Sequence, residues 1–250
     1  MALGIFLFFI FGISIGSFLN VLIYRIPKKE NIFGRSYCDH CKKRLPWYDL
    51  VPIISFLSLH GKCRFCKKNI DSSIPFVEIT TALLFIAAFL KFPIPTDYNL
   101  WFYLYFVSSL IAIFFIDFKS EIIPDKIIFP ALFVSILFLI LSNNSLNHIL
   151  SGIGAFVFFL ILSLLTRGKG MGGGDIKLVT LLGVILGFPN ILISVYLAFL
   201  TGGILSLILI LWKKKRFKGD TIPFGPFLAL FGIISLFFGN QMVSLLLSFL

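Results

Sequence analysis

Charge is scarce in this chain. Of its 250 residues 13% are charged, about half the share carried by a soluble domain of ordinary composition. With 58% of residues hydrophobic and 32 phenylalanines, a large soluble core does not account for the balance. Strict apolar–polar alternation is missing too, which argues against a membrane β-barrel. Histidine is nearly absent, with three in all. No HExxH occurs, and no GxSG-like serine can pair with a histidine in an apolar run, so metalloprotease and intramembrane serine protease chemistry are disfavoured. The phosphate-cradling GxxxxGK[ST] is absent as well. Acidic residues number 11 against 22 basic ones, a surplus that membrane topology explains without a nucleic-acid partner.

What the chain has in abundance is apolar runs, near the length of about 20 residues that a membrane-crossing helix needs. They fall at roughly 3–24, 74–90, 100–117, 122–142, 146–166, 176–188, 190–212 and 222–239, leaving an unassigned apolar tail at 240–250. The reading is an all-α polytopic membrane protein with about eight transmembrane helices. The first run has no basic lead-in and no small-residue cleavage site, so it reads as a retained span rather than a signal peptide. If eight spans alternate, 21 of the 22 basic residues fall on one side, and only Lys91 lies on the other. Those 21 sit in the loop 25–73, around Lys119 and Lys126, at Arg167, Lys169 and Lys177, and in the stretch 213–220. Of the opposite connections, SNNSLN at 142–147 and FPN at 188–190 carry no charge. The positive-inside rule then places the basic loops in the cytoplasm and the N-terminus outside. Three regions result: a first span at 1–24, a cytoplasmic loop at 25–73, and a membrane core at 74–250.

All four cysteines lie in that loop, as Cys38-x2-Cys41 and Cys63-x2-Cys66. Paired CxxC elements at this spacing are a zinc signature, and four thiolates close a tetrahedral structural site with no open position for catalysis. A cytoplasmic location disfavours disulfides, and His40 and His60 read as bystanders. Between the pairs, LPWYDLVPIISFLSLHGK suits an amphipathic segment on the membrane surface. Asp49 is either a ligand-binding residue or a turn or cap before Pro52. Glu78, four residues into the second span, faces a polar cavity or the interface.

Two carboxylates at span ends carry the chemistry. Asp175 follows the glycines of GMGGGDIKL (170–178), and Asp117 ends the third run. Asp175 alone could be a helix N-cap. Asp117 is harder to explain, because the end of a helix disfavours negative charge and a surface pair with Lys119 would be weak. Taken together, two close carboxylates in a low dielectric split their proton affinities, so one can activate water while the other donates a proton. The glycines would let a substrate backbone or a neighbouring helix approach closely. An aspartyl protease at the cytoplasmic membrane face is the expectation. The alternatives from other classes are a polytopic transporter, whose carboxylates would lie nearer the bilayer midplane, and a non-enzymatic assembly factor.

These residues resemble a family. GSFLNVLIYRIP (16–27), RSYCDHCKKRLPWYDLVPIISFLSLHGKCRFC (35–66), IPFVEITTA (74–82), IDFKSEIIPD (116–125) and GMGGGDIKL occur in the order found in type IV prepilin leader peptidases, members of the GxGD aspartyl proteases. DSSIPFVE (71–78) departs from the more basic and aromatic lead-in expected there. The resemblance implies Asp117 and Asp175 as the catalytic pair, with Asp125 of the IPD element as a structural neighbour and the competitor for the first role. It also implies methylation of the new N-terminal amine of the cleaved product with S-adenosylmethionine as donor. By motif position, Asn20, Arg25, Trp47, Tyr48, Asp49, Gly61 and Glu78 are the residues nearest that cofactor. The implied substrates are type IV prepilins or pseudopilins with a short basic leader ahead of an apolar helix. The implied location is the bacterial inner membrane, with the site facing the cytoplasm. No oligomeric state and no particular pilin follow from the sequence.

Overall fold

The computed structural model describes residues 1–92, 98–141, 145–168, 171–212 and 223–248. The basic stretch 213–220, Lys169 and residues 142–144 of SNNSLN lie outside the described residues. Each of the eight apolar runs forms a helix, and no strand occurs among the described residues.

Two compact units divide the chain at Ala112 and Ile113. In the first, α1 (Ala2–Arg25) leads into the cysteine loop. That loop contains a 3-10 turn at Trp47–Leu50 and a five-residue helix, α2 (Ile54–Ser58). The chain then returns along α3 (Ser73–Lys91) and enters α4 (Tyr98–Ser120). Helices α1 and α3 run antiparallel along a seam of small residues. A side chain at Gly12 would start 2.5 Å from the Ala82 Cα, and one at Gly16 would start 2.7 Å from the Glu78 Cα. Such a glycine seam brings backbones together where lipid supplies no hydrophobic drive. Phe8 stacks on Phe89 with centroids 4.6 Å apart, which closes the seam toward the N-terminal end of α1.

The second unit holds the end of α4, then α5 (Asp125–Leu141), α6 (Ser145–Leu165), α7 (Gly173–Leu186), α8 (Asn190–Leu211) and α9 (Gly225–Leu247). Its centre is α7, where Leu178, Val179, Leu181 and Leu182 are fully buried. Helices α5, α6, α8 and α9 all pack against it. With 14 residues, α7 is about 21 Å long, short of a hydrocarbon core of about 30 Å. A helix walled by other helices need not match that thickness. At the α6–α7 crossing, Gly183 has the Ser151 carbonyl 2.7 Å from where a side chain would begin.

Among the described residues, six helices are long and apolar enough to cross a membrane: α1, α3, α4, α6, α8 and α9. Helix α5 has 17 residues and starts at Asp125, three residues later than the apolar run, because Pro124 cannot continue a helix backwards from it. Helix α9 runs on to Leu247 and takes in most of the tail that the sequence left unassigned.

Candidate active site and cysteine module

Within the second unit, Asp117 lies one turn before the end of α4 and is 4% exposed. The helix stops just beyond it. Glu121 has φ 53° and donates its N–H to the Asp117 carbonyl at 2.9 Å, an αL termination. Ile122, Ile123 and Pro124 then turn the chain into α5. Ile123 becomes a wedge between two glycines: a side chain at Gly174 would start 2.9 Å from its Cβ, and one at Gly225 would start 3.0 Å from its Cδ1. Gly225, the first residue of α9, also lies directly against the Asp117 carboxyl, 3.0 Å from its Cγ by the same measure. Its backbone N–H donates to that carboxylate.

Asp175 enters the same neighbourhood from the first turn of α7. It is not the N-cap. Gly172 occupies that position, and Asp175 sits three residues in, where its Oδ2 accepts from the Gly172 N–H at 3.1 Å. Capping therefore uses one oxygen of the carboxylate and leaves the other. Asp117 is close enough to Asp175 to feel its charge. Gly173 has nothing within 4 Å of its missing side chain, so the approach at that glycine is open. Gly170 lies outside the described residues. Asp125 is engaged differently: it is exposed, opens α5, and pairs with Lys177 at 2.6 Å.

The cysteine module belongs to the first unit and consists of two near copies of one turn. Lys42 and Lys67, each following a CxxC, have φ 56° and 60°. They donate N–H groups to the Cys38 and Cys63 carbonyls at 2.9 and 3.0 Å. Antiparallel bridges Tyr37–Arg44 and Lys62–Asn69 close the two turns. The four Sγ atoms lie within 4.8 Å of one another, and no disulfide joins them. Cys38 Sγ and Cys66 Sγ are 3.8 Å apart. A tetrahedral zinc with bonds of about 2.3 Å requires sulfurs about 3.8 Å apart, so the donor set fits a divalent zinc ion. His40 and His60 are exposed and outside the cluster. Backbone N–H groups of Cys66 and then Phe65 lower the Cys63 thiol to about 7, while burial pushes Cys38 up to about 11.

Comparison with known proteins adds the family. Residues 10–92 match the bacterial peptidase A24 N-terminal domain, and residues 104–207 match the type IV leader peptidase family. A prepilin leader peptidase/N-methyltransferase of Aeromonas hydrophila is 33% identical, over 94% of this chain and 91% of its own length. The chain belongs to the type IV leader peptidase family. A relative of the same name from Bacillus subtilis strain 168 is 34% identical over 94% of this chain and 95% of its own length. One from Vibrio cholerae is 38% identical over 72% of this chain and 77% of its own length. No solved structure matches the chain.

In this leader peptidase family member, most residues expected near a cofactor organise the loop. Asn20 Nδ2 donates to the Ile74 carbonyl at 3.0 Å, tying α1 to the start of α3. Arg25, at the end of α1, is buried and donates to the carbonyls of Asn31, Ile32 and Arg35 at 3.1, 2.9 and 3.2 Å. Asp49 sits in the 3-10 turn Trp47–Leu50, and Arg64 grips its carboxylate through Nε at 2.9 Å and Nη2 at 2.7 Å. Glu78, buried in α3, accepts from the Ile53 N–H at 2.8 Å. It thereby steadies a β-branched residue at φ 59°, a backbone region such residues avoid. Gly61, at φ +68°, makes the turn that Phe56 packs against. Trp47 and Tyr48 differ from the rest: both are exposed and meet edge to face at 5.8 Å, and the Arg64 guanidinium lies over the Tyr48 ring, 5.1 Å from its centre.

Reading the sequence missed Gly225, Ile123 and Arg64. The signal for Gly225 was present as PFGPF (223–227), a glycine between prolines at the start of an apolar run.

Proposed function

We propose that this chain removes the leader of a type IV prepilin or pseudopilin by an Asp117–Asp175 dyad and then methylates the exposed amine. The observation that carries the reading is that two carboxyl groups from the ends of different helices lie within electrostatic range, beside a backbone donor at Gly225 and the open glycine Gly173. Family membership over nearly the full chain supports the substrate class.

In this scheme one carboxylate takes a proton from water as the water oxygen attacks the scissile carbonyl. The other carboxyl gives its proton to the carbonyl oxygen, and the tetrahedral diol collapses with proton transfer to the leaving amine. The Gly225 N–H orients Asp117 and keeps its charge from being unpartnered in a buried site. The division of labour follows the chain: the loop 25–73 with its flanking helices serves methyl transfer, and the core 74–250 serves cleavage. Cys38, Cys41, Cys63 and Cys66 hold a structural zinc ion. S-adenosylmethionine supplies the methyl group when bound. Trp47 offers the exposed aromatic face that a sulfonium cation favours, with Tyr48 against its edge, while Asn20, Arg25, Asp49, Gly61 and Glu78 set the shape of the loop beneath them. The basic loops lie on the cytoplasmic side of a bacterial inner membrane, which puts the dyad at the level of the substrate's basic leader.

Intact mass of a prepilin incubated with membranes containing this protein and S-adenosylmethionine tests the reading. Loss of the leader followed by a gain of one methyl group is expected. An uncut prepilin, under conditions in which a relative cuts it, would contradict it.

A further inference from the structure

The cysteine module carries an open cleft that neither reaction above uses. It is lined by Arg35, Tyr37, Lys42 and Arg44. The three cations are exposed and have no carboxylate partner among the described residues. Acids of the same loop are occupied elsewhere: Asp39 by the Tyr24 hydroxyl, Asp49 by Arg64, and Asp71 by the Ser73 N–H. Glu30 accepts the Tyr37 hydroxyl at 2.5 Å, a bond that pushes the phenol up to about 12, so the ring stays neutral. Lys42 Nζ lies 5.0 Å above that ring.

Arg25 fixes where the cleft sits. The last residue of α1 bonds the Arg35 carbonyl, and its guanidinium carbon is 5.9 Å from the centre of the Tyr37 ring. Two of the four lining residues are therefore held at the point where a membrane-crossing helix ends. The same loop exposes Phe33, which is 86% accessible, together with Trp47, Ile54 and Leu57. Exposed aromatics beside cations suit the boundary between headgroups and acyl chains.

We propose that this cleft binds the phosphate headgroup of an anionic phospholipid from the surrounding leaflet. Charge complementarity and the anchoring to α1 both select a headgroup, and the cationic leader expected of the substrate would be repelled there. The bound lipid would hold the module against the membrane surface. The lining residues are not those of the dyad, and the test reads lipid, so it can fail while the proposed cleavage stands.

The test uses the full-length protein in nanodiscs of mixed phosphatidylglycerol and phosphatidylcholine. Retained lipid is counted by native mass spectrometry after transfer to neutral detergent, and bound zinc is measured alongside. Lys42→Gln with Arg44→Gln is compared with Lys67→Gln with Lys68→Gln. Lys42 and Lys67 hold the same place in their two turns, so any backbone effect is shared. Parent and the second pair are expected to retain phosphatidylglycerol over phosphatidylcholine. The first pair is expected to bind it about thirtyfold more weakly, at about one basic residue's contribution to an anionic surface for each substitution. If the first pair also loses zinc, Arg35→Gln, which lies in neither CxxC turn, decides, with about fivefold weaker retention expected. Equal retention by all variants, equal loss in both pairs, or displacement of the lipid by excess inorganic phosphate would overturn the proposal.

Discussion

Lys177 Nζ lies 2.6 Å from Asp125 Oδ1, two residues along α7 from Asp175. This contact sorts the aspartates that crowd the ends of α4, α5 and α7. Asp125 is exposed and paired with a lysine, whereas Asp117 is buried beside the Gly225 amide and within electrostatic range of Asp175. Because the pair is solvent-accessible, Asp125→Asn or Lys177→Met should change stability by no more than about 1 kcal/mol. Prepilin cleavage should stay within a few fold of the parent. Thermal unfolding in detergent and a cleavage time course check both, and abolished cleavage in Asp125→Asn would reassign the first catalytic role.

The glycines of the site should not be equivalent. A methyl group at Gly225 runs into the Asp117 carboxyl, and one at Gly174 runs into Ile123, while Gly173 has open space. Displacing a catalytic group by about 1 Å costs about a hundredfold in rate. Gly225→Ala is therefore expected to lower the single-turnover cleavage rate by about that factor with little change in substrate binding, and Gly173→Ala to leave most activity. Equal effects at the two positions would count against the close packing described here.

Zinc should bind the cysteine module in a pH-dependent way. Metal coordination needs thiolates. Cys63 ionises near 7, whereas Cys38 is held protonated well above neutrality. Apparent zinc affinity should rise between pH 6 and pH 8, roughly as protons are released, and fall again on acidification. Competition with a chromogenic chelator reads this directly, and a pH-independent affinity would sink the assignment. Cys63→Ser should lose the metal.

Arg64→Ala should loosen the loop without removing a thiol. It leaves the Asp49 carboxylate, buried and gripped through two nitrogens, without its partner. An unsatisfied charged group of this kind costs about 1–3 kcal/mol or more. Faster proteolysis of residues 25–73 is expected, and unchanged protection would show that the ion pair is dispensable.

Much of this architecture is written in local patterns. Apolar runs locate helices because each residue facing lipid must be apolar and each backbone group must be satisfied within its own helix. The two CxxC turns are equally legible, since thiol spacing alone defines a tetrahedral site. What is not local was not legible. Gly225 meets Asp117 across 108 positions of sequence, and only packing of α9 brings it there. Asp175 resembled an N-cap because a carboxylate before an apolar run suits either place. The structure puts Gly172 at the cap, since glycine tolerates that entry and Asp175 can reach back to its amide. Asp49 lacked a visible partner until the two turns folded Arg64 onto it.

The most direct measurement is the cleavage rate of a purified prepilin by the protein in nanodiscs, beside Asp117→Asn, Asp175→Asn and Asp125→Asn, with bound zinc and folding confirmed for each. The account predicts no detectable product with the first two and near-parental cleavage with the third. Cleavage by either Asp117→Asn or Asp175→Asn at a substantial fraction of the parental rate would contradict it.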